Sequence, residues 1–524
     1  MKNILALVLA IALCFSLVAC KGDETTASQS KKPQNQSQNK DNKKEEKKYK
    51  DLSLYFSFAD SLDPYKAESS GNRSICSLLF DSLVKLDNNL NPVNLIASNI
   101  VQNGKTIIIT INSHRFSDGS YLSAEDVIYS IERCKKTKIG DYANQLENVS
   151  SYSVSDGKIY ITLKRNDINA VRLLDFPIIK KGSANKTNED GKNIPPIGSG
   201  RYVFVDNLGE YSLKTNEYYF GEKPKSNIIL KNIPDYEALE YLIRSSTIDV
   251  YYSGFDAKEM PELKGNTKSV NLTNLVYVGI NQKYGFLSNK EVRNAISLAV
   301  DRSYISEKCY YSLSKPALSL YNDKNDIVKN ESSIFNYEEN VPSALESLKK
   351  GGFDKLNKEG FYQNKKGEIV RVSLLYNKDN NMQSMTASAL SRNLKACGIN
   401  IELKGVSKND YKYAVQKGQY ELYLAEIRLT KSFDYSKMLI SPKNILLNKA
   451  DSQEEGFVDF KETYEQYMSG KVSVKTMLET FADQTPFIPL VFRLGTVTYS
   501  ENFSEELTSS ISDPYYNIEK IYLK

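Results

Sequence analysis

The chain has 524 residues, of which 40% are hydrophobic and 25% charged, which is typical of a soluble globular protein with two or three domains. Its formal net charge is +5, but Lys2 and residues 21–50, with nine lysines against five acidic residues, account for all of it. The remaining residues, 51–524, are neutral. This argues against nucleic-acid binding, which requires a basic face.

The first twenty residues differ in character from the rest of the chain. Met1–Asn3 is short and positively charged, residues 4–19 are almost entirely apolar, and a highly polar stretch follows. This pattern predicts a signal peptide over residues 1–19. Leu17–Cys20 resembles a bacterial lipobox, in which the cysteine receives a diacylglycerol and becomes the new N-terminus. An uncleaved membrane anchor is the alternative, although the apolar run is shorter than the roughly 20 residues that span a bilayer comfortably.

Residues 20–50 are predicted to form a lipidated and disordered tether. Lys21–Lys50 has almost no apolar residues and cannot bury enough surface to fold. Its lysines favour contact with anionic lipid, and two or more acyl chains on Cys20 would hold the protein stably at the membrane surface.

The first folded elements are predicted from alternation and from turn and cap signals. Residues 51–58 alternate strictly between apolar and polar side chains and predict a half-buried strand. Within 116–133, a turn precedes a helix that begins at Ser123. The hydroxyl of Ser123 can cap the first turn of that helix, and Asp126 completes a capping box.

Further elements follow in the same way. A hairpin is predicted over 152–163, where Asp156-Gly157 separates two alternating runs. Residues 227–252 predict a strand, a helix and a second strand, which implies parallel pairing. A strand at 276–281 and a helix at 290–302 come next.

The region 368–427 has the clearest alternation of strands and helices. The predicted order is strand 370–376, helix 382–397, strand 400–404, a helix capped by Ser407 and Asp410, and strand 420–427. Two such units in series predict a doubly wound sheet, and sheets of this kind bind ligands at the carboxyl ends of their strands.

The chain carries no recognisable catalytic or metal-binding pattern. His114 is the only histidine, lies beside Arg115, and is predicted to face solvent. The motifs of zinc proteases, phosphate-binding loops and serine hydrolases are all missing from the sequence. Four scattered cysteines remain after Cys14 and Cys20, and buried free thiols are favoured over two disulfides for them: Cys76, Cys134, Cys309 and Cys397.

Several segments, in order, resemble one bacterial family. Phe116–Arg133, which reads F-S-D-G-S-Y-L-S-A-E-D-V-I-Y-S-I-E-R, resembles the most recognisable motif of the extracytoplasmic oligopeptide-binding proteins of ABC importers. That family, the bacterial extracellular solute-binding proteins of family 5, also includes dipeptide and nickel binders. Pro196–Tyr202, Ala299–Arg302 and Pro486–Phe492 resemble further segments of the family. The resemblance covers nearly all of residues 51–524.

The resemblance implies an α/β fold with two lobes, of the periplasmic-binding-protein (Venus flytrap) type, and an extra subdomain inserted in the first lobe. The implied division is signal peptide 1–19, lipidated tether 20–50, first lobe 51–68, inserted subdomain 69–194, first lobe 195–275, second lobe 276–487 and first lobe 488–524. Two crossing segments, near 271–281 and 486–494, would join the lobes and let them close over a ligand by hinge motion.

By segment order, the resemblance also implies ligand contacts. Tyr423 and Glu426 stand where peptide binders of the family carry a tryptophan and an aspartate, and that aspartate pairs with the free amino terminus of the peptide. The alternative is an internal ion pair of Glu426 with Arg428 or another cation, and Arg428 could itself receive a ligand carboxylate. Ser69 and Ser70 match the position where the family pairs backbone to backbone with an extended peptide.

Asn281, in a Gly-x-Asn segment that resembles that of the family, completes the predicted ligand contacts. The chain is thus expected to be a lipid-anchored, monomeric solute-binding protein on the extracytoplasmic face of the cell membrane. It would capture short peptides and deliver them to an ABC permease, with no cofactor, metal site, catalytic residue or nucleic-acid partner. The alternatives are a metal-chelate (nickel-type) binder on the same scaffold, and a surface receptor or adhesion lipoprotein without a transport role.

Overall fold

The computed structural model describes residues 49–189, 191, 193–233, 241–242, 244–254, 265–322, 324–329, 331, 340–440 and 455–524. Lys48–Lys524 forms one compact unit. The predicted signal peptide, Cys20 and nearly all of the predicted tether lie outside the described residues, as does most of the helix predicted within 227–252. Over the described ranges, no helix combines the length and the apolar composition that a membrane span requires.

The strands are numbered in chain order over the described residues. They are β1 Leu52–Phe56, β2 Val84–Leu86, β3 Pro92–Asn94, β4 Ala97–Asn103, β5 Thr106–Ile111, β6 Val149–Ser155, β7 Lys158–Leu163, β8 Tyr202–Asn207, β9 Glu210–Thr215, β10 Ile228–Asn232, β11 Val250–Ser253, β12 Asn266–Ile280, β13 Ser314–Pro316, β14 Lys355–Leu356, β15 Tyr362–Gln363, β16 Arg371–Asn377, β17 Asn400–Val406, β18 Leu422–Arg428 and β19 Phe487–Tyr499.

The helices are numbered likewise. They are α1 Ser70–Leu79, α2 Ala124–Lys136, α3 Lys290–Leu298, α4 Arg302–Tyr304, α5 Val341–Lys350, α6 Asn381–Ala396, α7 Lys408–Lys417, α8 Ser436–Ile440, α9 Glu455–Met468 and α10 Val474–Gln484. Single turns of tighter or wider helix lie at Ala170–Leu174, Gly285–Ser288, Ile305–Cys309, Asp326–Val328 and Ile518–Lys520.

One eleven-stranded sheet runs through both halves of the molecule, in the order β17-β16-β18-β12-β19-β11-β1-β10-β9-β8, with β13 paired to β19 off this path. In the half that contains β1, the strands β10 and β11 flank β1 and run parallel to it. In the other half, β16 lies between β17 and β18 and runs parallel to both. Parallel strands connected through helices define the α/β class that the sequence predicts.

Strands β12 and β19 pass from one half to the other. β12 begins beside the end of β19 and finishes between β18 and the start of β19. The register between β12 and β19 is interrupted between Asn271 and Leu275, where β12 makes the passage. The predicted crossing segments, 271–281 and 486–494, fall on these two strands. The sequence predicts this strand only over 276–281, whereas β12 spans Asn266–Ile280. The first residues of β12 are polar and exposed, so they lack the apolar alternation by which a strand is predicted.

A separate four-stranded antiparallel sheet, β4-β5-β7-β6, lies beside the first half. Apolar residues of this sheet and of α2 share one buried cluster with β1, including Leu54, Ile109, Val127 and Ile161. Helix α1 contacts β1, β8 and β11 of the large sheet. The domain boundaries given by the resemblance, with the inserted subdomain beginning at residue 69, stay a prediction.

The local signals of the sequence are confirmed at three places. Ser123 and Asp126 form the predicted capping box, since the Ser123 hydroxyl accepts from the Asp126 N–H at 3.4 Å and the Asp126 carboxylate accepts from the Ser123 N–H at 2.9 Å. β6 and β7 form the predicted hairpin, in which Asp156 and Gly157 both have positive φ angles, as a type I′ turn requires. Ser407 is the N-cap of α7.

The prediction that His114 faces solvent is wrong. Its side chain is 3% exposed, and its ring meets that of Phe220 edge-on, with the centroids 4.1 Å apart. Arg115 does face solvent, where its guanidinium lies over the ring of Tyr121. Adjacent residues of an extended segment point to opposite sides, so the exposure of Arg115 does not extend to His114. Burial lowers the pKa of His114.

Buried aromatic rings dominate one core cluster of the second half. The cluster includes Tyr277, Tyr321, Tyr423, Phe433, Tyr435, Phe460, Tyr464, Phe481 and Phe487. Among the described residues, seven of the 36 tyrosines of the chain are buried in this core. The predicted free thiols are confirmed, because all four cysteines beyond the N-terminal segment are buried and unbridged.

Candidate ligand-binding cleft

A cleft lies between the two halves of the molecule, at the carboxyl ends of β11 and β18. Its lining residues are Ser70, Arg73, Ser74, Ser77, Asp141, Tyr142, Tyr252, Gly254, Leu272, Arg428, Lys431, Ile511, Ser512 and Pro514. The cavity of about 40 Å³ has room for a few water molecules. Sites for drug-sized ligands occupy roughly 300–1,000 Å³. The two halves must therefore separate before a ligand of that size can enter.

Helix α1 presents a polar face to the cleft. Ser70, Arg73, Ser74 and Ser77 recur at spacings of three and four residues, so they lie on one side of the helix. Three of the four side chains are short and carry a hydroxyl. These short side chains can form hydrogen bonds with the main chain of a ligand that lies close to the helix.

The second half contributes cations to the cleft. Arg428 is the last residue of β18, and Lys431 follows three residues later. The side chain of Lys431 is 7% exposed, and its ammonium group bonds the carboxylate of Asp175 at 2.5 Å. Ser512 donates to the same carboxylate at 2.5 Å. Because Lys431 comes from the second half and Asp175 from the first, this buried ion pair holds the two halves together.

Two arginines from opposite halves share the carboxylate of Asp141. Arg73 Nε lies 3.4 Å from one oxygen, and a terminal nitrogen of Arg428 lies 3.1 Å from the other. Partial burial opposes the ionisation of Asp141, whose side chain is 35% exposed, but the positive charges of Arg73, Arg428 and Lys431 outweigh it and hold the pKa of Asp141 below its ordinary value. The cleft thus brings three cationic side chains together around two carboxylates, those of Asp141 and Asp175.

The groups that line the cleft can form hydrogen bonds and bind charge. The serine and tyrosine hydroxyls donate and accept, and the arginine guanidinium groups suit carboxylates. In the part of the chain that the structure describes, no three histidine, cysteine, aspartate or glutamate side chains are grouped to hold a metal ion. The cleft is suited to a polar ligand that carries a charged group.

Beside the cleft, the two halves meet along a second surface, here called the seam, which consists of Leu90, Asn169, Arg172, Asp326 and Tyr467. Leu90 comes from the first half, yet it is 1% exposed and belongs to the aromatic cluster of the second half. The Asn169 amide contacts the Tyr467 hydroxyl at 3.2 Å, and Arg172 pairs with Asp326. Apolar burial and hydrogen bonds both contribute to this contact.

Three of the residues predicted to bind ligand lie in or beside the cleft. Ser70 and Arg428 line it. Ser69 caps α1, and its hydroxyl donates to Asp60 at 2.7 Å, so it positions the start of the helix that carries Ser70. Their roles toward a ligand stay predictions.

Glu426 and Tyr423 are not among the lining residues. Glu426 accepts from the Asn274 amide at 2.8 Å and pairs with Arg493 at 3.3 Å, which is an internal ion pair of the kind described by the alternative interpretation. Tyr423 is 3% exposed, and its hydroxyl lies 3.4 Å from that of Tyr277. The predicted contacts of Glu426 and Tyr423 with a ligand stay predictions.

Asn281 also lies outside the lining. Its amide donates to the carbonyl oxygens of Gly418 at 3.4 Å and Tyr420 at 3.2 Å, so it joins the end of β12 to the turn before β18. The predicted ligand role of Asn281 stays a prediction as well.

Sequence reasoning missed Arg73, Asp141, Tyr142, Tyr252 and Lys431, which all line the cleft. The sequence could have indicated Arg73, because it lies three residues after Ser70 and therefore on the same side of α1. No local pattern indicates Asp141, because it belongs to a polar loop whose approach to α1 and β18 depends on the tertiary packing of the whole chain.

Two α/β lobes joined by crossing strands, with a cleft between them, define a two-lobed binding protein. Residues 91–439 match the model of the bacterial extracellular solute-binding proteins, family 5 Middle. This match covers more than half of the chain, and the chain belongs to that family. The family and the fold class predicted from the sequence are thus confirmed.

One relative is known both by sequence and by structure. The oligopeptide-binding protein AppA of Bacillus subtilis is 26% identical over 352 residues, which are 62% of this chain and 63% of AppA. The matched sequence thus spans less than two thirds of that relative. The structure of AppA in complex with a nonapeptide has a TM-score of 0.51 at 20% identity and covers 91% of this chain and 100% of the AppA chain.

Two other solved structures share the fold. An ABC transporter substrate-binding protein from Sinorhizobium meliloti has a TM-score of 0.70 at 19% identity, covering 90% of this chain and 99% of its own. NikA from Brucella suis, in complex with Fe(III)-EDTA, has a TM-score of 0.64 at 18% identity, covering 90% of this chain and 100% of its own. These likenesses concern the two-lobed fold.

Proposed function

We propose that this chain is a membrane-anchored substrate-binding protein of an ABC importer, which captures short peptides in the cleft and delivers them to a permease. The observation that carries the proposal is the cleft, in which the hydroxyl-bearing face of α1 meets Arg428 and Lys431 across the gap between two lobes. Membership of an extracellular solute-binding family supports it. The relative from Bacillus subtilis is an oligopeptide-binding protein, which supports peptides as the ligand class.

In this proposal, Ser70 and Arg428 contact the ligand from opposite sides. An extended peptide lies along α1, where the Ser70 hydroxyl bonds the ligand main chain, so that affinity depends little on the ligand side chains. Arg428 receives a ligand carboxylate, because its planar guanidinium matches the two oxygens of that group.

The lobes open and close about the passage of β12 between the halves. The register interruption between Asn271 and Leu275 is where the crossing strands are least constrained by pairing. The ligand enters an open form, stabilises the closed form by contacting both lobes, and the permease recognises the closed form.

The N-terminal segment supplies the anchor. The signal peptide 1–19 is removed, Cys20 is lipidated, and residues 21–50 tether a monomeric body to the outer face of the cell membrane. No catalytic step and no cofactor is assigned to the chain. Radiolabelled palmitate should label the wild type, and Cys20→Ala should lose the label and appear in the medium. A label that persists in Cys20→Ala would contradict the anchor.

Mass spectrometry of the chain purified from its own cells tests the ligand class. Denatured wild-type samples should release short peptides, and Arg428→Gln samples should release far fewer. Co-purification of a metal chelate would instead favour the nickel-type alternative. Samples that never carry a small molecule would favour a receptor without a transport role.

The role that the family resemblance gives to Glu426 has its own test. A short peptide and its N-acetylated form are titrated against the wild type and Glu426→Gln. A contact with the ligand amine predicts that both acetylation and the substitution weaken binding, and that the two losses do not add. Equal affinities in all four pairings would leave Glu426 as the internal partner of Arg493.

A further inference from the structure

The centre of the cleft is built around one shared carboxylate. Arg73 extends from α1 of the first lobe and Arg428 from the end of β18 in the second lobe, and each contacts a different oxygen of Asp141, at 3.4 Å and 3.1 Å. A single anionic group therefore connects cations that belong to different lobes. Any anion in this position attracts both lobes and favours the closed form.

Asp141 is placed so that it can be displaced. It lies in the loop between α2 and β6, immediately after Gly140, whose φ of +68° is a left-handed conformation. Its side chain is 35% exposed, and those of Arg73 and Arg428 are 19% and 32% exposed. Ion pairs with this exposure are screened by water and contribute little net stability, so another carboxylate can compete with Asp141.

The net charge of the cleft determines which ligand groups can compete with Asp141 for the two arginines. Arg73, Arg428 and Lys431 face the carboxylates of Asp141 and Asp175, which leaves one positive charge in excess. An incoming ammonium group would be repelled by these cations. An incoming carboxylate would be attracted and would find two guanidinium groups already oriented toward its site.

We infer that the ligand of this cleft is a peptide that bears a carboxylate, which binds between Arg73 and Arg428 in the place that Asp141 occupies. The inference rests on the proposed function, since it specifies which peptides the cleft takes. Asp141 is then an internal substitute that occupies the carboxylate position while the cleft is empty. The ligand carboxylate comes either from an acidic side chain or from the C-terminus of the peptide.

Calorimetric titration of the mature, unmodified chain with four pentapeptides tests the inference. The peptides carry a central glutamate or glutamine, each with a free or an amidated C-terminus. Removing the carboxylate that binds should weaken binding by about ten-fold or more. If the change from glutamate to glutamine weakens binding, the carboxylate is that of the side chain, and if amidation weakens it, the carboxylate is that of the C-terminus. If all four peptides bind within about two-fold of one another, the inference is overturned and the proposed function stands. If none binds, both are overturned.

Variants test the residues themselves. Arg73→Gln and Arg428→Gln should remove the preference for the carboxylate-bearing peptide, and Asp141→Asn should increase it several-fold because the internal competitor is lost. Arg371→Gln and Asp354→Asn change exposed charges that do not line the cleft and should leave the preference unchanged. A preference that survives both arginine substitutions, or that falls in Asp141→Asn, would overturn the inference. Arg428→Lys, which keeps the charge, should retain part of the preference.

Discussion

The cleft and the seam join the same two lobes, but they do so with different chemistry. In the seam, Leu90 is buried in the aromatic core of the opposite lobe, and Asn169 meets Tyr467 in a buried hydrogen bond. In the cleft, Asp141 and Arg428 form an ion pair in which both side chains are about a third exposed. The difference indicates that the buried contacts, which are the seam and the Lys431–Asp175 pair, hold the lobes together, whereas the partly exposed pair of Asp141 with Arg428 contributes little.

The largest effect is expected at Lys431, where the cleft borders the seam. Lys431→Met leaves the Asp175 carboxylate buried without its cation, so the free energy of unfolding should fall by about 3–5 kcal/mol. Denaturant unfolding measures this change. Lys350→Met is the control, because its pair with Glu346 is exposed to solvent and should contribute far less to stability.

A double substitution sharpens that result. Lys431→Met combined with Asp175→Asn removes the uncompensated charge and should recover more than half of the loss. A double variant as unstable as Lys431→Met alone would mean that packing of the lysine stem, and not the ion pair, is what joins the lobes here.

The seam itself is tested at Leu90. Leu90→Ala should weaken the lobe contact by about 3 kcal/mol, because a fully buried leucine is replaced by a cavity. Small-angle scattering without ligand should then show a larger radius of gyration. Leu208 has a similar left-handed backbone, with φ of 52° against 67° for Leu90, but it is fully exposed. Leu208→Ala should therefore change nothing, and equal effects of the two substitutions would contradict the role of the seam.

The pH dependence of stability tests the carboxyl group of Asp167, which lies where the two lobes meet. Burial and the neighbouring Asp434 raise the pKa of Asp167 to about 7, although Ser432, the Asn169 N–H and Arg165 act against the rise. The folded state therefore holds a proton that the unfolded state loses near pH 4, and stability should fall as the pH rises through about 7.

The measurement is thermal or denaturant unfolding at about pH 6 and about pH 8. Between these values the wild type should lose about 1 kcal/mol more than Asp167→Asn, which cannot ionise. Burial also raises the pKa of Asp81 to about 7. Asp81 therefore lowers stability with rising pH in the same way in the wild type and in the variant. Parallel slopes in the wild type and the variant would show that Asp167 does not titrate in this range.

The smallest effect on stability is expected at the partly exposed ion pair of Arg428 with Asp141. Arg428→Gln should change the free energy of unfolding by no more than about 1 kcal/mol, because the pair with Asp141 is partly hydrated. A loss of several kcal/mol would show that this pair, like Lys431–Asp175, is structural, and the contrast between the exposed pair and the buried lobe contacts would fail.

The sequence predicts what depends on neighbours along the chain. Ser123 and Asp126 signal the start of α2, and alternation over 368–427 gives the strand and helix order of the second lobe, because these patterns report local hydrogen bonding and local burial. The burial of His114 was missed because Phe220, which covers it, lies more than a hundred residues away.

The cleft is harder to predict for the same reason. Arg428 and Asp141 are separated by 287 positions, and no local pattern indicates that they meet. The family resemblance identifies the strand that ends at Arg428, and only the three-dimensional arrangement reveals that Arg428 lines the cleft while Glu426, two residues earlier, is paired with Arg493.

A crystal structure of the chain with a bound peptide is the most direct test of the account. We predict a peptide between α1 and the end of β18, with one carboxylate within hydrogen-bond distance of Arg73 and Arg428, and with Asp141 displaced from both. A peptide bound outside the space between the lobes, or one that leaves Asp141 paired with both arginines, would contradict it.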